Sequence, residues 1–189
     1  MQPHHGGGGE DHHGLHPRAL RHVPRKARVP DAGQGRGRLM RVVVNDGGFP
    51  EMRALRLRRS CRRAMRQEGA PRRSVVSLTA VGEDKMRELN QRYLGRKGPT
   101  DVLAFPMGEE TGEGYLLGDV VVCPPFVAAH REDYGVPPGR ELELVAVHGV
   151  LHLLGYDDAD PGGEEKMRSR AAEIMGIREP VRLSPPHRG

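Results

Sequence analysis

Tryptophan is absent from the 189 residues, and only three phenylalanines and four tyrosines occur. Aliphatic side chains must therefore carry whatever core this chain builds. The same scarcity restricts base stacking, so a nucleic acid would be held through its backbone or with a partner's help. The two cysteines, Cys61 and Cys123, lie far apart with no CxxC pairing. That argues against a disulfide framework and for a reducing compartment in which both thiols are buried. No apolar run approaches the roughly 18 residues of a membrane span. No apolar segment follows the start as a secretory signal would. The expected location is the cytoplasm, away from membranes.

Charge is plentiful but unevenly placed. The formal net charge is +5. Residues 1–39 hold seven Lys/Arg against three Asp/Glu, residues 40–100 fifteen against six, and residues 101–189 eight against sixteen. A basic first half and an acidic second half predict two faces with different partners: a polyanion for one, a cation for the other.

Residues 1–39 are rich in Gly, Pro, His and Arg and lack apolar periodicity. They read as a disordered extension, or as upstream sequence preceding a functional start at Met40. Six of the ten histidines lie here and can bind metal loosely. From Met40 the pattern becomes that of a folded domain. Strands are predicted at 41–45, 74–81, 101–106 and 117–124. Helices are predicted at 50–68, 83–95, 125–135, 139–155 and 163–176. In the first helix Met52, Leu55, Ala64 and Met65 form the expected apolar side, opposite Arg53, Arg56, Arg59, Arg62, Arg63 and Arg66. An acidic, Gly-rich connection is expected over 108–114. The order is mixed rather than a regular βαβ alternation, which predicts an α+β domain: a four-stranded mixed sheet with about five helices, and 139–155 buried. The domain is expected to span 40–178, with a flexible tail over 179–189.

The stretch "AVHGVLHLLGYDDADPGG" carries the chemistry. His148 and His152 stand four apart and share one helix face. Gly155 is placed to end the helix in a left-handed turn, bringing Asp158 back over the helix end as a third ligand. Three protein ligands and one open position suit a catalytic zinc site, although a carboxylate also admits Mn, Fe or Ni. The other reading is a pair of buried histidines satisfied by polar contacts. Zinc peptidases place a glutamate base directly after the first histidine. Gly149 stands there instead, so the helix offers ligands and no base, which argues against a peptidase.

These residues resemble a known family. "HGVLHLLGYDD" is similar to the HGxLHLxGYDH signature of YbeY-type endoribonucleases. "LNQRYLGRKGPTDVLAFP" (89–106) is similar to that family's LNxxYRxxxxPTDVLSFP segment, and "LGDVVVCP" (117–124) to its LGDIxIS strand. The resemblance covers about residues 40–178. It implies a single-strand-specific, zinc-dependent endoribonuclease of 16S rRNA 3′-end maturation and ribosome quality control. It also implies one Zn2+ held by His148, His152 and Asp158. The partners it implies are ribosomal RNA and the small ribosomal subunit, with ribosomal proteins or a GTPase as protein partners. Two positions depart from the family. Asp158 stands where the third histidine is usual, and Leu94 where an arginine follows the tyrosine. Arg92 and Arg96 flank Leu94 and are candidates to serve in its place.

Phosphate contacts are expected from Arg53, Arg56, Arg59, Arg63, Arg92, Arg96 and Lys97, unless the arginine-rich helix is only a solvated face. Thr100, Asp101 and Asp119 are either turn residues or supports for the site. Tyr156 and Asp157 are expected to shape the ligand turn. Two rival functions stand beside the nuclease: a ribosome-assembly binding protein that uses metal for structure alone, and, more remotely, a metallopeptidase.

Overall fold

The β-branched runs near the start of the domain become β1 (Arg41–Asn45) and β2 (Ser74–Ala80). The computed structural model describes residues 40–112, 114–178 and 181–183. The expectations for residues 1–39 lie outside the described residues. Between the two strands runs α1 (Ala54–Gln67), and after them α2 (Glu83–Leu94). A hairpin of β3 (Val102–Thr111) and β4 (Gly114–Val122) follows, then the short α3 (Pro124–Ala129). The chain ends in α4 (Glu141–Leu153) and α5 (Pro161–Met175). The strand order is β1-β2-β4-β3. β1, β2 and β4 are parallel, and β3 pairs antiparallel with β4. Among the described residues this is the expected four-stranded mixed sheet with five α-helices, an α+β fold.

Strand alternation sorts the two faces. Val76, Leu78, Ala80, Val120 and Val122 point at a large aliphatic core with α1, α4 and α5. Leu103, Phe105 and Val121 point the other way, at Met86 and Leu89 of α2 and at Cys123. α4 is buried nearly all round, from Glu143 to Leu151. Each fully buried aliphatic there, such as Leu144 or Leu151, contributes roughly 1.5–3 kcal/mol. The helix that carries both histidines is thus packed on nearly every side. Both cysteines are free and buried. Burial pushes the Cys61 thiol up to about 12, with Glu143 nearby adding to the effect.

Four local expectations need correction. The predicted first helix is broken: Pro50–Met52 is a 3-10 turn, and Arg53 takes a left-handed φ of 23° before α1 begins. Within α1 the buried face is Leu57, Cys61, Ala64 and Met65; Leu55 lies on the opposite side of the same helix and is 81% exposed. The acidic connection at 108–114 is mostly strand, because β3 and β4 extend into a hairpin whose register reaches Thr111 opposite Gly114. The helix expected over 125–135 is α3 plus a 3-10 turn at Arg131–Tyr134. The start of the expected tail is packed: Val181 is fully buried and Leu183 nearly so.

α1 also loses some arginines to structure. Glu143 is buried on α4 and faces Arg56 at 3.5 Å, Arg140 at 3.4 Å and the Ser60 hydroxyl at 2.8 Å. A carboxylate in such a place needs these partners, since an unpaired buried charge is strongly destabilising. Arg63 donates to the carbonyl of Ile174 at 3.0 Å, near the end of α5. Arg56 and Arg63 therefore hold α1 against α4 and α5.

Candidate metal centre

α4 ends in a Schellman turn. The Gly155 amide donates to the His152 carbonyl at 3.0 Å and the Tyr156 amide to the Leu151 carbonyl at 3.1 Å. Gly155 has a φ of 88°, the left-handed conformation that this turn requires and that glycine adopts without strain. The chain then folds back. Asp157 accepts from the Ala159 amide at 3.0 Å. Asp160 caps α5 by accepting from the amides of Gly162 and Gly163 at 2.9 Å each. A Cβ at Gly163 would lie 2.2 Å from the Asp157 carbonyl oxygen, so only glycine allows this tight return. The turn lands Asp158 beside the two histidines.

There the side chains converge as the spacing predicts. The Nε2 atoms of His148 and His152 lie 2.7 Å apart. Oδ2 of Asp158 lies 3.4 Å from the first and 3.6 Å from the second. His148 is 2% exposed, and His152 and Asp158 open toward solvent. Among the described residues this is the one group of three or more His, Cys, Asp or Glu whose ligand atoms come together.

The second nitrogen of each ring decides what the cluster is for. Nδ1 of His148 lies 3.2 Å from the Leu183 carbonyl oxygen, and Nδ1 of His152 lies 3.2 Å from that of Tyr156. A carbonyl accepts only, so each Nδ1 carries the proton and donates it. The two Nε2 lone pairs then face each other and a carboxylate. Three electron-pair donors around one point require a cation between them, a proton or a metal ion. With a proton as that cation, hydrogen bonding from His148, and then from His152, holds the Asp158 carboxyl well below the usual carboxylate range. The backbone-anchored imidazole is also the usual support of a metal-binding histidine. A tetrahedral zinc centre with bonds of about 2.0–2.1 Å has ligand–ligand edges of about 3.3 Å. The two edges to Asp158 are close to that value, and the His–His edge would open by about half an ångström. The residues fit a divalent ion of zinc's size.

The support extends to α1 and α5. The Tyr156 hydroxyl donates to Glu68 at 2.7 Å, and Arg170 of α5 pairs with the same carboxylate. Burial and the Glu68 contact push the Tyr156 hydroxyl up to about 12. It stays protonated near neutral pH and braces the turn. Sequence reasoning missed Leu183, Glu68 and Arg170. Leu183 acts through a backbone carbonyl, which leaves no trace in residue identity, and the other two lie 88 and 14 positions from Tyr156 along the chain.

Other predicted residues fall elsewhere. Arg92, Arg96 and Lys97 are exposed at the end of α2 and just after it, on the helix packed against the other sheet face. Leu94, at the family's arginine position, is 40% exposed there. Asp101 is buried, accepting from Thr100, from the Val102 amide and from the Tyr134 hydroxyl. Thr100 and Asp101 are thus turn and packing residues. Asp119 sits in β4 opposite Ser77 and Phe105. Arg53, Arg59, Arg62 and Arg66 are exposed on the α1 side of the molecule.

A family model described as Endoribonuclease YbeY matches residues 49–177. The chain is 39% identical over 142 residues to an endoribonuclease YbeY of Thermobifida fusca, covering 70% of this chain and 90% of that one. It is 41% identical over 126 residues to another from Salinispora tropica, covering 60% and 80%. A protein from Thermotoga maritima with a known solution structure is 29% identical, covering 73% of this chain and 90% of its own, with a TM-score of 0.48.

Proposed function

Because the chain belongs to the endoribonuclease YbeY family, we propose that it is a cytoplasmic, zinc-dependent endoribonuclease. Its substrate in this reading is single-stranded ribosomal RNA during 16S 3′-end maturation and quality control of the small subunit. One observation carries it: two imidazole lone pairs and one carboxylate are aimed at a common, partly solvent-facing point, with both rings locked by backbone carbonyls. Zinc bound by such a set supplies Lewis acidity toward a phosphoryl oxygen and water with a pKa lowered toward about 7.

The chain's own residues do the rest. His148 and His152 present Nε2 in the ligating tautomer. Asp158 adds a negative charge, which binds a cation well and makes it a weaker Lewis acid than a third neutral histidine would. No carboxylate on α4 stands ready as a base, since Gly149 occupies that slot. Arg59, Arg62 and Arg66 follow one another at i, i+3 and i+7 and form a stripe about 10 Å long on α1. Glu68, two residues further on, touches the ligand turn. The stripe is exposed on the helix whose C-terminal end braces that turn, and it suits the backbone phosphates of a bound strand. Ribosomal RNA in the small subunit is the proposed partner, with a ribosomal protein or GTPase supplying site choice.

Two measurements test this reading. Metal analysis of the protein with residues 1–39 removed excludes the histidine-rich segment; it is expected to give about one zinc per chain. Asp158→Ala should lose at least tenfold in zinc affinity, and Asp158→His should keep the metal. A wild type without zinc, with metal restored by Asp158→His, would sink the assignment of Asp158. Replacing Arg59, Arg62 and Arg66 with Ala should weaken single-stranded RNA binding uniformly across sequences. It should also reduce the slope of log affinity against log salt by about 2. An unchanged slope would show that α1 carries no phosphates.

A further inference from the structure

We propose that the C-terminal segment 181–183 is a positioning element of the metal centre, with the Leu183 carbonyl holding His148 in its ligating orientation and tautomer. The inference rests on the metal-site reading above and names a part of the chain that this reading does not use.

The two ligand histidines are supported differently. His152 bonds to the carbonyl of Tyr156, four residues along the same turn, so its orientation is set locally. His148 bonds to the carbonyl of Leu183, 35 residues away and past the end of α5. His148 is buried with this segment in place, so if that carbonyl leaves only unfixed water could reach its Nδ1–H. The ring would then satisfy itself by rotating or by moving its proton to Nε2. Either change removes the lone pair that now faces His152 and Asp158.

The segment is pinned firmly enough for this work. Val181 and Leu183 are buried on either side of Arg182. The Arg182 amide donates to the Tyr134 carbonyl at 2.9 Å. Tyr134 is fully buried and tied through its hydroxyl to Asp101 at 3.2 Å. Two apolar anchors and one backbone bond thus fix the height of the Leu183 carbonyl over the His148 ring. This also gives buried Asp101 a consequence for the site without any contact to it.

The test measures Zn2+ affinity by competition with a chromophoric chelator, and the visible spectrum of the Co2+-loaded protein. It compares the full chain, a chain ending at residue 180, and a chain ending at Ser184, which keeps the Leu183 peptide carbonyl. A His148→Ala/His152→Ala chain sets the signal from the six histidines before residue 40. Ending at 180 should weaken Zn2+ binding 10–100-fold and change the Co2+ spectrum. Ending at Ser184, or Leu183→Met, should leave both as in the full chain. Should the shortest chain fail to fold, Val181→Ala/Leu183→Ala keeps the carbonyl but empties its anchors. Measured at a temperature where the metal-free variant is still folded, it should show weakened Zn2+ binding and a shifted Co2+ spectrum.

Equal affinity and an unchanged spectrum in the chain ending at 180 would overturn the proposal and leave the metal site standing. Weakening that merely tracks loss of folded metal-free protein would overturn it too, since the segment would then be structural only. A full chain that binds no more tightly than the double-alanine control would overturn both the proposal and the metal-site reading.

Discussion

His152→Ala is expected to abolish cleavage of single-stranded RNA while leaving the domain folded. His152 sits in the last turn of α4 with its side chain 27% exposed. Its removal opens no cavity deep in the core. The fold loses the bond to the Tyr156 carbonyl, a contribution of about 1 kcal/mol. In the proposed reading the centre loses one of three ligands, and so reduced it would neither hold its cation nor acidify water. The loss in rate should be on the order of 10³-fold or more, about 4 kcal/mol of transition-state stabilisation. The same change at His148 is less informative, because that ring is buried in the core and its loss mixes chemistry with packing. Cleavage of a labelled single-stranded RNA, zinc content and thermal melting, measured together, decide the matter. Intact melting with lost zinc and lost cleavage supports the nuclease. Wild-type protein that binds RNA and zinc but cuts nothing, and melts sharply lower as His152→Ala, would favour a ribosome-assembly binding protein. The charge at Asp158 and the missing arginine at Leu94 are the features that reading would build on.

Gly149→Glu should prevent folding rather than create a peptidase. A Cβ at position 149 would lie 2.5 Å from Cγ1 of Val120 and 3.1 Å from Cγ2 of Val102. Those are β-branched side chains on β4 and β3, stiff at χ1 and packed in the core. The first atom of any side chain already collides, and overfilling a core of this kind costs about 1–3 kcal/mol. Glutamate then adds a carboxylate buried against apolar strands with no partner, several kcal/mol more. A small domain has only about 5–15 kcal/mol to lose. Soluble expression and far-ultraviolet circular dichroism would check this, with Gly149→Ala as the milder comparison. Gly149→Glu protein that folds and melts like the wild type would refute the packing argument. The position that holds the base in zinc peptidases is here the point where α4 presses on the sheet, so the peptidase reading loses its structural footing.

Legibility differed along the chain for physical reasons. Runs of β-branched residues bounded by turn residues marked β1, β2 and β4, because strand propensity and turn chemistry are local. The i, i+4 histidines and the glycine at 155 placed a ligand helix and its left-handed stop, because both are properties of single helical turns. Leu55 and Leu57 show where local reading fails. Met52 is buried from a separate 3-10 turn, and within α1 Leu57 shares the face of Ala64 and Met65 while Leu55 lies on the opposite side. The hairpin through 108–114 was hidden because its residues are acidic and glycine-rich. What makes them strand is cross-strand pairing, such as Glu110 opposite Tyr115, and no propensity of their own. Arg56 and Arg63 looked like their neighbours on α1, yet face Glu143 and the Ile174 carbonyl.

By itself the sequence determined the α+β class, the family, and which three side chains, His148, His152 and Asp158, converge as a candidate ligand set, since these rest on residue type and short-range spacing. Tertiary structure alone decided which nitrogen of His148 faces the centre, which arginines of α1 are taken up by packing contacts, and why position 149 must be glycine. Each of those depends on a partner far away in the chain: the Leu183 carbonyl, Glu143, and the methyl groups of Val120. Such partners are brought near only when the sheet and α4 close on one another, and a linear pattern holds no record of that distance.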